Sequence, residues 1–346
     1  MTAMQAVWLA GHGGNEVVQV GARPFPSRTA GEVLVRIHAA GLNRVDLYMR
    51  NSGAGIRHSL PLVMGLDGAG TVLEAEPGSG FEPADKVVIH PGISCGRCEF
   101  CRVGQTVLCT SIQLMGEHID GTLAEVVSVP AANLFPMPAG WSFAEAAALS
   151  VGHLTAWRML HTQGGLRPWE TVLIFGIGGT VSLAALQLAK LAGARVIVTS
   201  RDAEKARRAL SLGADGAITG TAGIASQVLE MTGGRGVDLV IENVGEAVWP
   251  EALKSLVRGG RIVTCGATTG SAPSADLQRM FIRQLRVIGS THGTLGEFAD
   301  LLALLGRSTI RPVIDSRFAM TEVHSALDRL ESGRQFGKIA IEVSSD

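Results

Sequence analysis

Between residues 170 and 289 the sequence alternates short runs rich in Val, Ile and Thr with Ala/Leu-rich runs of helical length, and few architectures accept that order. Such alternation calls for parallel strands joined by crossover helices, the doubly wound α/β arrangement. The predicted strands cover residues 171–175, 195–199, 216–218, 237–241, 261–264 and 285–289. Between the first of these and a predicted helix over 181–192 lies the run Gly176, Ile177, Gly178, Gly179, Thr180, Val181. Its glycines allow a tight turn and let backbone N–H groups approach a pyrophosphate at the helix amino end. Val181 stands where the usual fingerprint has a third glycine, so the case for a dinucleotide site rests on the strand-turn-helix context as much as on the loop.

The end of the second strand discriminates between dinucleotides. An acidic side chain there accepts hydrogen bonds from the ribose hydroxyls and repels a 2′-phosphate. Here Ser200 and Arg201 follow the strand, with Lys205 one helical turn on and Asp202 just past the strand end. A hydroxyl and two cations favour NADPH over NADH. The same residues also suit a helix start, with Ser200 as cap and a solvated basic face.

At 346 residues the chain exceeds what one core usually supports, which predicts two domains. Hydrophobic residues make up 46% and charged residues 18%, as in a compact globular protein. Thirty basic against 31 acidic side chains leave a formal charge of -1, without the basic footprint of a nucleic-acid or membrane-surface binder. Small-molecule partners are favoured. Residues 1–18 lack a basic region followed by an apolar run, so no secretory signal is expected and a cytoplasmic location is. The uncharged stretch 171–189 has the length of a membrane span, but Gly176, Gly178 and Gly179 split it into a strand and a helix.

Four of the five cysteines, Cys95, Cys98, Cys101 and Cys109, follow the spacing C-x2-C-x2-C-x7-C. Short C-x2-C steps curl the backbone so that several sulfurs converge, and four thiolates close a tetrahedral zinc shell that leaves no position for substrate. A pair of disulfides is the alternative; a reducing compartment opposes it, and adjacent C-x2-C pairs bridge poorly. One structural zinc ion is expected. Cys265 follows a predicted strand and reads as a small buried apolar residue.

With these features in place the chain resembles the medium-chain dehydrogenase/reductase superfamily along nearly its whole length. The remaining landmarks are Ala40-Gly-Leu-Asn-Arg-Val-Asp-Leu-Tyr, Gly65-Leu-Asp-Gly-Ala-Gly, Gly116-Glu-His-Ile-Asp-Gly-Thr-Leu-Ala-Glu, Leu154-Thr-Ala-Trp and Phe336-Gly-Lys-Ile-Ala-Ile. The resemblance implies a GroES-like, mainly β catalytic domain over 1–150 and 292–346, with the zinc lobe near 91–110. It implies a Rossmann cofactor domain over 151–291, with Thr155 beside the nicotinamide. Asn243, Val244, Gly266, Ala267 and Lys338 complete the implied cofactor contacts, and edge pairing of the last strand implies a homodimer or homotetramer.

Zinc alcohol dehydrogenases of this superfamily carry a second, catalytic zinc, and here the ligand pattern departs. The first position is Asn43, the histidine position Leu66, the glutamate position Asp67 and the third ligand position His153. Leu66 binds no metal, and Asp67 with His153 makes two ligands where catalytic sites have three. A rebuilt site would need His38, His118 or water. The Asn43, Asp46 and Gly65-Leu-Asp pattern resembles instead the zinc-independent quinone oxidoreductase branch.

Without a Lewis acid, reduction of a simple carbonyl is harder than delivery of hydride to an enone or quinone, whose product anion is delocalised. The expected activity is therefore NADPH-dependent reduction of quinones or α,β-unsaturated carbonyl compounds. Tyr48 and His153 are candidate proton or hydrogen-bond donors, Asn43 a candidate orienting group and Asp67 a further candidate catalytic residue. Each has a plain alternative: Tyr48 as helix packing, His153 as bonded structure, Asp46 and Asp67 as partners of backbone or of Arg50. His90 and His118 are expected to support the lobe or lie at the surface. An alcohol or aldehyde oxidoreductase, and a dinucleotide-binding protein without activity, are the competing functions.

Overall fold

Six parallel strands form one sheet in the spatial order Gly216–Thr219, Arg195–Ser200, Thr171–Ile174, Val237–Glu242, Leu256–Thr264, Arg286–Gly289. The chain enters at the middle, winds to one edge, returns and winds to the other, which is the doubly wound arrangement expected from the sequence. The two central strands are buried at every position, because helices cover both faces. The fifth strand begins at Leu256 rather than at residue 261. Gly259, at φ +74, and Gly260 hide it from a propensity reading, and its pairing with the fourth strand is irregular between Val237 and Leu239.

The structure, a computed structural model, describes residues 3–344. It divides into two compact units, His153–Gly293 and Met1–Gly152 with Thr294–Asp346. The sheet above belongs to the first. Among the described residues no helix is long and apolar enough to cross a membrane.

The second unit is built around the strand Glu32–Leu42, nearly all of whose positions are buried. It pairs antiparallel with Asp67–Glu74, Val126–Pro130 and Lys338–Glu342, in a seven-stranded sheet that also holds Leu134–Pro136, Lys86–Ile89 and Ile314–Ala319. Glycine permits the closest approach: a Cβ on Gly70 would lie 1.9 Å from the Arg36 carbonyl oxygen. Helices Arg44–Ser52 and Val323–Glu331 contribute Leu47, Met49, Val323 and Leu327 to the core beside the sheet. Buried Arg50 ties the two helices through Glu331 at 2.9 Å.

Candidate active-site array and zinc lobe

Register brings three distant residues together. Gly41 lies opposite Asp67 on one neighbouring strand and opposite Ala340 on the other, two positions from Lys338. Having no side chain, Gly41 leaves the space in which Asp67 and Lys338 meet: a Cβ there would stand 2.9 Å from Asp67 Oδ2 and 3.0 Å from Lys338 Cδ. The Lys338 ammonium donates to Asp67 Oδ2, to Asn43 Oδ1 at 2.7 Å and to the Leu42 carbonyl at 3.3 Å. Asn43 Nδ2 donates to Asp67 Oδ2 at 2.9 Å, and the Val151 N–H to Asp67 Oδ1 at 2.8 Å. Asp67 and Lys338 are both fully buried, so this is an ion pair in low dielectric whose other hydrogen-bonding capacity is met by neighbours. Gly41→Ala is expected to lower stability by about 1–3 kcal/mol, as overpacking does, read from urea unfolding.

Asn43 caps the Arg44–Ser52 helix; its backbone N–H donates to Asp46 Oδ2 at 2.7 Å. Asp46 is thus bound to backbone, whereas Arg50 turns to Glu331. Tyr48, on the same helix, is 38% exposed. His153 belongs to the other unit, where it is buried with Nε2 3.4 Å from Gln187 Oε1. Lys338, which the resemblance implies as a cofactor contact, is fully buried, and its ammonium donates to Asp67, Asn43 and the Leu42 carbonyl. The signal that finds this role is the register of a carboxy-terminal strand, which no local motif carries.

In the cofactor unit the glycine run behaves as a phosphate loop should. Gly176 and Gly178 have φ of +68 and +116, and a Cβ on Gly176 would lie 3.1 Å from Val244 Cγ2. The helix Thr180–Leu191 starts at Gly179 with no side-chain cap, so its first N–H groups are left to a ligand or water. Asn243 braces the turn: its Nδ2 donates to Ser182 Oγ at 2.9 Å, and that hydroxyl donates to the Phe175 carbonyl at 2.8 Å. These residues fit a dinucleotide pyrophosphate. Buried Thr155 lies in the same unit. At the second strand end, Asp202 rather than Ser200 is the helix cap, with Oδ1 accepting from the Glu204 and Lys205 N–H groups. Ser200 Oγ accepts from the Asp202 N–H at 3.0 Å, and Arg201 is exposed. Past the end of the strand Leu256–Thr264, burial pushes the Cys265 thiol up to about 12, which suits an unreactive role.

The four cysteines converge. Their sulfurs all lie within 4.8 Å of one another, with Cys98 to Cys101 at 3.5 Å and Cys95 to Cys101 at 4.0 Å. A tetrahedron with 2.3 Å zinc–sulfur bonds has edges of about 3.8 Å, so the cage fits zinc. The separations are too long for disulfides, and all four cysteines are free. Gly96, at φ +70, turns the backbone between the first two ligands, and the Cys95 N–H donates to Cys109 Sγ at 3.3 Å. His90 Nδ1 accepts from the Gly92 N–H and His118 Nδ1 from the Leu114 N–H. Both histidines therefore support loop geometry near the lobe.

Residues 29–139 match the alcohol dehydrogenase GroES-like domain and residues 180–307 the zinc-binding dehydrogenase family. An alcohol dehydrogenase of Geobacillus stearothermophilus is 31% identical over 93% of this chain and 94% of its own. An acryloyl-coenzyme A reductase of Metallosphaera sedula is 31% identical over 98% of this chain and 99% of its own. Among solved structures, an NAD-dependent alcohol dehydrogenase superposes with TM-score 0.95 at 40% identity, covering 99% of this chain and 100% of that one. A GroES-like β fold and a Rossmann-like sheet, matched at these identities over nearly the full length, make the chain an NAD(P)-dependent oxidoreductase belonging to the medium-chain dehydrogenase/reductase superfamily.

Proposed function

We propose that this enzyme uses NADPH to reduce α,β-unsaturated carbonyl compounds, thioesters included, or quinones, with one structural zinc and no catalytic metal. The observation that carries the reading is the fate of Asp67. The carboxylate that stands at a zinc-ligand position is committed to Lys338, Asn43 and Val151, and Leu66 beside it offers no ligand atom. Among the described residues, the four-cysteine cage is the sole group of three or more His, Cys, Asp or Glu side chains close enough to hold a metal. The dinucleotide supplies hydride when bound. Hydride at a β-carbon leaves an enolate, for which hydrogen-bond donors suffice. Asn43 orients the reactants, and Tyr48 or His153 serves as donor. The acryloyl-coenzyme A reductase relative supports an unsaturated thioester as acceptor.

The NADPH assignment is supported by the strand end. Asp202, the nearby carboxylate, is occupied by two helix N–H groups and does not stand against a 2′-phosphate, while Arg201 is exposed beside it. The variant Ser200→Asp, Arg201→Ala is expected to bind NADPH about 10- to 100-fold more weakly, the worth of one charge-assisted contact, with NADH affinity retained. Fluorescence titration reads both; unchanged NADPH affinity overturns the assignment. Homodimerisation is proposed through the edge strand Arg286–Gly289, where Val287 is exposed, flanked by exposed Leu277, Phe281 and Ile282; a homotetramer would pair two such dimers.

Oxidoreduction of alcohols and aldehydes is the second reading, favoured by the alcohol dehydrogenase relatives. NADPH oxidation over enones, quinones, unsaturated thioesters and aldehydes, run with zinc quantification, separates the two. One zinc per chain and turnover of conjugated acceptors supports the first. Two zinc ions, with activity lost on gentle chelation, supports the second.

A further inference from the structure

The strand Val237–Glu242 closes on a glutamate that the proposed chemistry leaves unused. Glu242 is fully buried at the carboxyl end of a central strand, the end of a doubly wound sheet at which ligands bind. Its side chain folds back over the turn that follows, and Oε1 accepts from the Val244 N–H and from the Gly245 N–H at 2.7 Å. Oε2 accepts at 3.0 Å from the hydroxyl of Thr264, its register partner on the neighbouring strand. Burial raises the proton affinity of this carboxyl, and the Gly245 and Val244 N–H groups and the Thr264 hydroxyl oppose that. The turn that Glu242 grips is wedged between two loops at the same sheet end. On one side is the phosphate loop: a Cβ on Gly176 would lie 3.1 Å from Val244 Cγ2 and 3.3 Å from Asn243 Oδ1. On the other, the Asn243 and Val244 carbonyls accept from the hydroxyls of Thr268 at 3.2 Å and Thr269 at 2.8 Å. A Cβ on Gly266 would stand 2.9 Å from the Asn243 carbonyl oxygen, so the contact depends on where the turn backbone lies.

We propose that Glu242 is a positioning residue for the dinucleotide: it sets the 243–245 turn, and through it the phosphate loop and the 266–270 loop, in the shape that the cofactor binds. Without an acceptor at this place two backbone N–H groups are stranded, and the turn shifts to satisfy them elsewhere. The binding shape is then held by a fraction of the molecules, and the apparent affinity falls by that fraction. The inference concerns the cofactor unit by itself and rests neither on the choice between NADPH and NADH nor on the acceptor that is reduced. The sheet order puts Ser200 and the turn on opposite sides of the strand Thr171–Ile174, so the turn is expected to act on both dinucleotides alike.

The test compares Glu242→Met, Glu242→Gln and Thr264→Val with Leu253→Ala, a core truncation in the helix Trp249–Ser255 of the same unit. Fluorescence titration of the zinc-loaded protein gives the dissociation constants of NADPH and NADH at a temperature where each variant is folded by circular dichroism. Melting temperature and hydrogen exchange at the Val244 and Gly245 amides are read alongside. Glu242→Met keeps the side-chain length without an acceptor, and should weaken both dinucleotides about 10- to 100-fold with faster exchange at the two amides. Glu242→Gln keeps an oxygen for both N–H groups and turns its amide to the Thr264 hydroxyl, so affinity should return to within about threefold of the wild type. Thr264→Val removes one donor and should weaken both about three- to tenfold. Leu253→Ala should lower the melting temperature while changing affinity less than about twofold. Unchanged affinity in Glu242→Met, an equal loss in Glu242→Gln, or a matching loss in Leu253→Ala overturns the proposal. Where Glu242→Met does not fold, unchanged affinity and exchange in Thr264→Val overturn it.

Discussion

Lys338→Met is expected to destabilise the protein by about 3–5 kcal/mol, because it strands Asp67 as an unpaired charge in a fully buried position. The loss should exceed that of any surface charge substitution, since exposed pairs contribute about 0–1 kcal/mol. The ion pair at Arg317 and Glu342, both half-exposed, provides that comparison in the same sheet. Adding Asp67→Asn to Lys338→Met removes the stranded charge while keeping an acceptor for the Val151 N–H, so most of the stability should return. Urea unfolding of the wild type, the single variant and the double variant measures this coupling. Equal stability of the single and double variants would show that the pair is not coupled as the geometry requires. Activity need not return with stability, because Asn43 takes its orientation from both partners.

The second large effect concerns the cysteine lobe. The wild type is expected to retain one zinc per chain through dialysis, and Cys95→Ser with Cys109→Ser to retain none. Two thiolates cannot close the shell, and the Cys95 N–H loses the sulfur it bonds. The lobe has little apolar core of its own: its helix Glu99–Arg102 has no buried residue, and Val103 and Leu108 are exposed. Metal coordination is therefore expected to hold it folded. Removal of zinc should open trypsin cleavage after Arg97 and Arg102, with the parallel sheet of the cofactor unit intact by circular dichroism. Atomic absorption and mass mapping of the fragments read the outcome. Zinc retained by the double variant would mean that the four sulfurs are not the ligands.

Much of this architecture is legible in the sequence because its signals are local. Parallel strands buried on both faces must be apolar runs, so the parallel, doubly wound class of the cofactor sheet followed from alternation alone. The strand missed in part, Leu256–Thr264, is the one whose first half contains Arg258, Gly259 and Gly260, residues that propensity excludes and pairing rescues. The glycine turn and the cysteine cage were equally visible, since a phosphate loop and a zinc knuckle each lie within one short segment.

Side-chain partners were less legible. Ser200 reads as a cap from residue type, yet Asp202 takes that role because its carboxylate reaches two N–H groups at once. Glu117 looks like one more polar residue in a loop. Only the tertiary structure shows it buried.

Residues close in the chain meet whatever the rest of the molecule does, so the sequence by itself determined the glycine turn, the doubly wound parallel-sheet class and the clustering of the four cysteines. Asp67 and Lys338 stand 271 positions apart. Their meeting depends on two strand registers and on the space left at Gly41. Tertiary structure alone decided that Lys338 is the buried partner of Asp67, because desolvation compels each charge to find the other.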